Sequence, residues 1–307
     1  MDDAYLRRLL DRAGPRPVPG RASDGASSVG GDRDATWAVR KVAGAARYRR
    51  DAGGGKPAPI APRVAAALAR AGVDAAGRDE PLATEERLRA AGRALRGGGL
   101  YVRGRDAAGR PIVWARSGLI DLRNLGAAGE RAWVDAVATL FELCALAGGG
   151  GFTRGAAPRV EGDTTRRAPL PPMRREKTRH PRRYVEAADL SPSRVPLMTG
   201  WRVLRGGLDA LTTAFPERGA EFVVTGASAF NRLLFNMAKP FMPASLRTRI
   251  VMLPRGDRAA AKLAAVLGGA DAIPDFLGGN AAHVLHRTDD GDVDFARAFE
   301  ELLLSRP

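Results

Sequence analysis

The apolar positions between Phe215 and Arg255 set the frame for the rest of the chain. Phe230, Leu233, Leu234, Met237 and Phe241 recur at i, i+3, i+4, i+7 and i+11, a helical stripe. Phe235 and Ala238 leave the opposite side nearly as apolar, and only Asn231, Arg232, Asn236 and Lys239 are polar. The pattern predicts a turn over 215–219, a buried strand over 221–225, a helix over 228–239 stopped by Pro240, and a strand over 249–253. A helix apolar almost all round needs cover on both sides, from protein core or from another apolar phase such as lipid.

The same reading extends along the chain. Residues 2–13 form a short helical pattern, 14–34 are a Gly, Pro, Ser and Asp-rich insertion, and helical patterning resumes over 35–50. A Gly and Pro linker over 53–62 precedes helices over 63–71 and 84–96, the second opened by Thr84-Glu85-Glu86 and ended by Gly97-Gly98-Gly99. Strands over 100–105 and 112–116 flank a polar turn, and a helix over 133–146 follows. Residues 148–181 are a second insertion, rich in Arg, Pro and Gly, expected to be mobile and basic. A strand over 184–190, a helix over 195–214, a helix over 257–267 and a last helix over 293–304 complete the pattern. Strands alternating with helices predict an α/β fold with a mostly parallel sheet. The domain reading is a helical region over 1–83, a principal domain over 84–283 and a C-terminal helix over 284–307.

Composition adds a charge. The 307 residues carry 49 Lys and Arg against 34 Asp and Glu, a net +15, with 45% hydrophobic residues. That surplus favours a polyanionic partner, either nucleic acid or an anionic membrane surface. No apolar signal region follows Met1-Asp2-Asp3, and no run reaches the roughly 18 apolar residues of a membrane span, so a cytoplasmic protein is expected. Cys144 is the only cysteine, which rules out an internal disulfide, and it fits a small core residue.

Catalytic signatures are missing. Val223 to Ser228 imitates the start of a dinucleotide fingerprint, but Phe230 and Arg232 stand where later glycines belong. His283 and His286 have no Cys or placed carboxylate to complete a zinc set, and the glycine among Asp289, Asp290, Asp292 and Asp294 is misplaced for a calcium loop. No nucleophile elbow and no phosphate-cradling Lys loop occurs, so the expectation is no enzyme, no metal and no cofactor.

An ordered set of short motifs carries a resemblance. Gly104, Asp106, Gly109, Arg110 and Pro111 form a hairpin entry, and Asp189-Leu190 follows a strand. Phe215-Pro216-Glu217-Arg218, Lys239-Pro240-Phe241, Arg249-Ile250-Val251 and Ile273 to Gly279 then follow in order. Together they resemble the CRAL-TRIO family of lipid-binding domains. The resemblance implies a mixed, mostly parallel sheet flooring an apolar lipid cavity, closed by a gate helix ending in Lys-Pro-Phe. It assigns Tyr184, Glu186, Ala188, Ala210, Leu211, Phe215, Phe222 and Val224 to the cavity. Glu217, Arg218 and Arg249 match headgroup or phosphate positions, where guanidinium groups offer paired donors. Phe230, Leu233, Leu234, Met237, Lys239 and Phe241 match the gate and its membrane contact.

The implied function is binding and transfer of a lipid, phosphatidylinositol-like or isoprenoid-like, between membranes. The implied partners are the lipid and an anionic membrane surface, with peripheral association and a monomeric chain, and no nucleic acid is expected. The alternative is a basic nucleic-acid-binding or membrane-scaffold protein without exchange. Leu246 departs from a threonine of the phosphatidylinositol site, and the N-terminal phosphate-binding arginine of the family has no counterpart near residues 10–14. Glu186 departs too, because a carboxylate in an apolar pocket is costly unless paired. It marks either a polar group of the ligand or a strand register that turns it to solvent.

Overall fold

In this computed structural model the described residues are 35–52, 59–72, 82–120, 127–147, 184–189, 206–207, 213–215, 219–239, 242, 247–254 and 256–305. Three helices come first: α1 (Ala35–Ala52), α2 (Pro62–Arg70) and α3 (Glu85–Ala94). Pro62 opens α2 at a position where its missing N–H costs nothing. The Thr84 hydroxyl caps α3 by accepting from the Arg87 N–H at 3.4 Å, and Glu85 and Glu86 complement the positive end of the helix dipole.

Strands β1 (Leu100–Arg105) and β2 (Pro111–Arg116) form the hairpin that the turn chemistry predicted, and Asp106 explains why it is sharp. Its buried carboxylate accepts from the backbone N–H groups of Ala108 and Arg110 at 3.0 and 2.7 Å, and from Arg110 Nε at 2.6 Å. Gly109 closes the turn with φ +73°, open to glycine at little cost. Between Val102 and Arg105 the register slips, with Gly104 at φ +71°, and the Trp114 indole N–H reaches the Arg103 carbonyl at 2.9 Å.

Helix α4 (Ala127–Ala147) starts six residues before its apolar pattern. The chain continues through β3 (Tyr184–Asp189), β4 (Gly219–Thr225), α5 (Ala229–Ala238), β5 (Ile250–Met252), α6 (Asp257–Leu267) and α7 (Phe295–Leu304). The pattern starts the last helix at Val293, but Asp294 takes the cap, accepting from the Arg297 N–H at 3.1 Å and from Arg63 at 2.8 Å. The helical reading of 195–214 falls largely outside the described residues, as do those of 2–13 and the two insertions.

The five strands lie in the order β1-β2-β3-β4-β5, with β1 antiparallel to β2 and all other neighbours parallel. The alternating pattern predicts a mostly parallel sheet, and the mixed sheet is the one that the resemblance to CRAL-TRIO domains implies. On one face, α2, α3, α4 and α7 share a core in which Leu68, Leu88, Leu140, Phe141 and Phe299 meet Val102, Val113 and Phe222 of the sheet. On the other, Leu263, Val266 and Leu267 of α6 cover Tyr101, Trp114, Ala187 and Val223. Arg105 ties the first layer together. Its guanidinium donates to the carbonyls of Leu302, Ala147 and Gly109, so one cation sits at the negative ends of both α4 and α7.

Candidate functional site

The register of the sheet decides which residues share a face, because paired positions on neighbouring strands lie side by side. One row runs Val102, Val113, Glu186, Phe222, Ile250. The next runs Leu100, Ala115, Ala188, Val224, Met252. Four of the residues assigned to a lipid cavity, Glu186, Ala188, Phe222 and Val224, therefore stand in two adjacent rows. Tyr184 lies on the same strand, beyond a register slip at which it pairs with Gly219.

Sequence periodicity found β3 and β4 but not the company they keep. Ala115, Val113, Ile250 and Met252 complete the same rows, and their contribution depends on long-range pairing that no local signal reports. Phe215 is buried and packs edge-on against Phe141 of α4, with ring centroids 5.9 Å apart. Phe222 is buried in the same cluster. The assigned residues Ala210 and Leu211 lie outside the described residues.

Arg249 stands just before β5, at the amino ends of the parallel strands. Its Nη1 donates to the Gly219 carbonyl at 2.7 Å, and its own carbonyl accepts from the Phe222 N–H at 2.9 Å. That places a guanidinium beside the residue that directly follows Arg218 in the chain. Glu217 and Arg218 themselves lie outside the described residues.

Helix α5 carries the gate assignment. It begins directly after the Gly226 bend and ends at Ala238, with Lys239 in a final tight turn. Leu233 is 56% exposed, a large apolar side chain in water, and Arg232, Asn236 and Lys239 are exposed beside it in sequence. Phe235 is half-buried. Phe230, Leu234 and Met237 occupy helical positions of α5, and Phe241 lies outside the described residues.

The opposite face holds chemistry of another kind. The Tyr101 hydroxyl and His283 Nδ1 share a hydrogen bond of 2.9 Å, and the imidazole meets Trp114 and Phe276 edge-on, at 4.9 and 5.8 Å between centroids. The Arg116 guanidinium lies 4.3 Å from the Phe276 ring centre. Burial first, and the Arg103 charge second, push the His283 pKa down to about 4, while burial pushes the Tyr101 phenol up. The imidazole is therefore neutral and the phenol stays protonated, so the bond between them is one of two uncharged groups. His286 binds Glu301 at 2.6 Å, so the two histidines serve different partners.

Asp289 and Asp290 are exposed in a turn, while the two aspartates that follow hold the tail in place: Asp292 pairs with Arg96 and Asp294 with Arg63. Among the described residues no group of three or more His, Cys, Asp or Glu is placed to hold a metal. A cavity of about 370 Å³ between α3 and the start of α7 is lined by Arg63, Arg89, Arg93, Asp290 and Asp294 among others, and its charges suit water rather than acyl chains. Among the described residues no helix is long and apolar enough to cross a membrane.

Comparison with known proteins places these features. Residues 183–279 match the family model described as CRAL/TRIO domain. That span contains β3, β4, α5, β5 and α6, and every motif from Asp189-Leu190 to Gly279. Among solved structures, the crystal structure of Sfh5 aligns at 13% identity with a TM-score of 0.40, over 63% of this chain and 63% of that chain. The chain thus spans less than two thirds of that structure's length. No curated protein matches the sequence.

Proposed function

We propose, from the premise that residues 183–279 form a CRAL/TRIO domain, that this protein binds a lipid and exchanges it with membranes. The family is one of lipid-binding and lipid-transfer domains. The observation that carries the reading is the family match over 183–279 together with α5, whose Leu233 stands exposed at the end of the sheet. Removing an acyl chain from water gains roughly 25 cal/mol per Å² of apolar area. No covalent step is needed.

Entry and exit of the lipid then fall to α5. Its Leu233 meets hydrocarbon when the protein docks, Lys239 supports the contact with anionic headgroups, and Pro240 interrupts the helix ladder and provides the hinge. Arg249, which bonds the carbonyl of Gly219 next in the chain to Arg218, is the headgroup candidate at the strand ends, with Glu217 and Arg218.

The test is transfer of a fluorescent phosphatidylinositol between vesicles. Leu233→Asp leaves the core intact because the side chain is exposed. It should slow transfer by about tenfold or more, since an aspartate in hydrocarbon costs roughly 2.5–3.5 kcal/mol and about 1.4 kcal/mol is already tenfold in rate. Unchanged transfer would remove α5 from the mechanism. Protein that stays empty against every lipid and binds RNA in a salt-sensitive manner would instead favour the nucleic-acid reading that the +15 charge allows.

A further inference from the structure

Among the described residues four large apolar side chains are exposed: Leu119, Leu233, Val284 and Leu304. Val284 lies on the tail beside β1, where the Arg103 guanidinium donates to its carbonyl, and Leu304 ends α7 shortly after the acids Glu300 and Glu301. The remaining pair share one end of the sheet. Arg116, Asp189 and Thr225 are register partners at the carboxyl ends of β2, β3 and β4. Leu119 follows Arg116 in a single 3-10 turn (Ser117–Leu119), which carries it about 6 Å past the end of β2. Beyond β4 the chain is held to the same end by Ala227, whose N–H donates to the Leu253 carbonyl at 3.3 Å, and α5 starts two residues later. Leu233 stands about 6 Å along that helix. The two strands that deliver these leucines are two strand spacings apart, about 10 Å.

Packing and charge set this end apart. Leu119 is seated rather than loose: a Cβ on Gly97 would come within 2.7 Å of its carbonyl oxygen, and one on Gly99 would strike the Ile120 side chain. The glycines therefore let the backbone of the turn lie close, with Ile120 half-buried and Leu119 41% exposed. Both stretches are net basic. Residues 111–123 hold Arg116 and Arg123 against Asp121, while 226–239 hold Arg232 and Lys239 and no acid. Arg232 and Lys239 are exposed. Apolar tips set among cations fit an anionic bilayer, where hydrocarbon lies beneath a layer of phosphate. At the amino end of β2 the hairpin turn exposes only Ala107 and Ala108.

We infer that the carboxyl end of the sheet is the membrane-docking end, and that Leu119 enters an anionic bilayer together with Leu233. The inference rests on the membrane-exchange reading above. It adds a second point of contact on a different strand, and two points fix the tilt of the protein on the surface as one cannot.

The experiment places a polarity-sensitive fluorophore on the full chain at Leu119→Cys, Leu233→Cys or Ala108→Cys. Cys144 is buried and is the only native cysteine, so the label goes to the introduced site. Each protein is mixed with vesicles of phosphatidylcholine and phosphatidylserine, some carrying a quencher on the acyl chains. Labels at 119 and 233 should shift to the blue and be quenched, and the label at 108 should do neither. Separately, Leu119→Asp should weaken vesicle binding about tenfold with an unchanged thermal midpoint, since the side chain is exposed.

A label at 119 that stays in water while the one at 233 is quenched overturns the inference and leaves the role of α5 standing. Quenching at 108 equal to that at 119 overturns it too, because no end of the sheet would then be preferred. If neither 119 nor 233 responds, the docking of α5 falls and this inference with it.

Discussion

On the face that meets α6, the row Tyr101, Trp114, Ala187, Val223, Val251 lies beneath Leu263, Leu267 and Ile273, and the acid of that face, Glu221, has Lys262. On the opposite face the corresponding row is equally apolar, but its acid stands at the centre, between Val113 and Phe222. One face is covered by a single helix and the short turns after it, down to a histidine hydrogen-bonded to a tyrosine. The other is covered by four helices, α2, α3, α4 and α7, which come from both ends of the chain.

The largest effect should come from breaking the α6 face. Trp114 is fully buried, it donates to the Arg103 carbonyl at the bulge, and it packs against both His283 and Phe276. Trp114→Ala should cost about 3–5 kcal/mol, measured by urea unfolding. Phe222→Ala on the other face should cost less than Trp114→Ala in the empty protein. Saturating lipid should also raise the midpoint of wild type more than that of Phe222→Ala, because ligand binding stabilises by mass action. Equal losses, with no response to lipid, would erase the distinction between the faces.

The second effect is one of pH. His283 is held neutral by burial and by Arg103, with Arg116 adding in the same direction and Asp275 and Glu301 opposing. Its folded pKa, about 4, lies below the ordinary 6.5. The unfolded chain therefore binds the proton more readily. The contribution is complete above pH 6.5 and is lost progressively as pH falls toward 4. Thermal melts between pH 7 and 4 should show wild type losing stability more steeply than His283→Gln, whose amide does not titrate in that range. Parallel slopes would mean that the imidazole does not sense its surroundings.

Much of this architecture was legible in the sequence because it is local. Thr84 with Glu85 and Glu86 announces α3, the Asp106 to Pro111 turn announces the hairpin, and the pattern over 257–267 coincides with α6. The start of α4 was less legible. Residues 127–132 are Ala, Gly, Glu and Arg, without the apolar spacing that marks the helix later on. What local patterns cannot report is partnership across the chain. Nothing near Tyr101 foretells His283, 182 residues away, and nothing near Arg105 foretells Leu302. The rows of the candidate site are of that kind as well. Alternation marks which residues of β3 share a face, but only the pairing of β2, β3 and β4 shows that Glu186 lies between Val113 and Phe222.

The smallest effect tests the comparison most directly. Lys262 and Glu221 form an ion pair between α6 and β4, with side chains 35% and 23% exposed. Partly exposed pairs of this kind contribute about 0.2–1 kcal/mol. Lys262→Ala should therefore lower stability by about 1 kcal/mol or less, and a double-mutant cycle with Glu221→Ala should recover a coupling of similar size. Neither change should alter which lipid the protein loads, because this acid already has its partner within the fold. If Lys262→Ala changes the lipid that the protein loads, the α6 face is coupled to the lipid site through the strands between them.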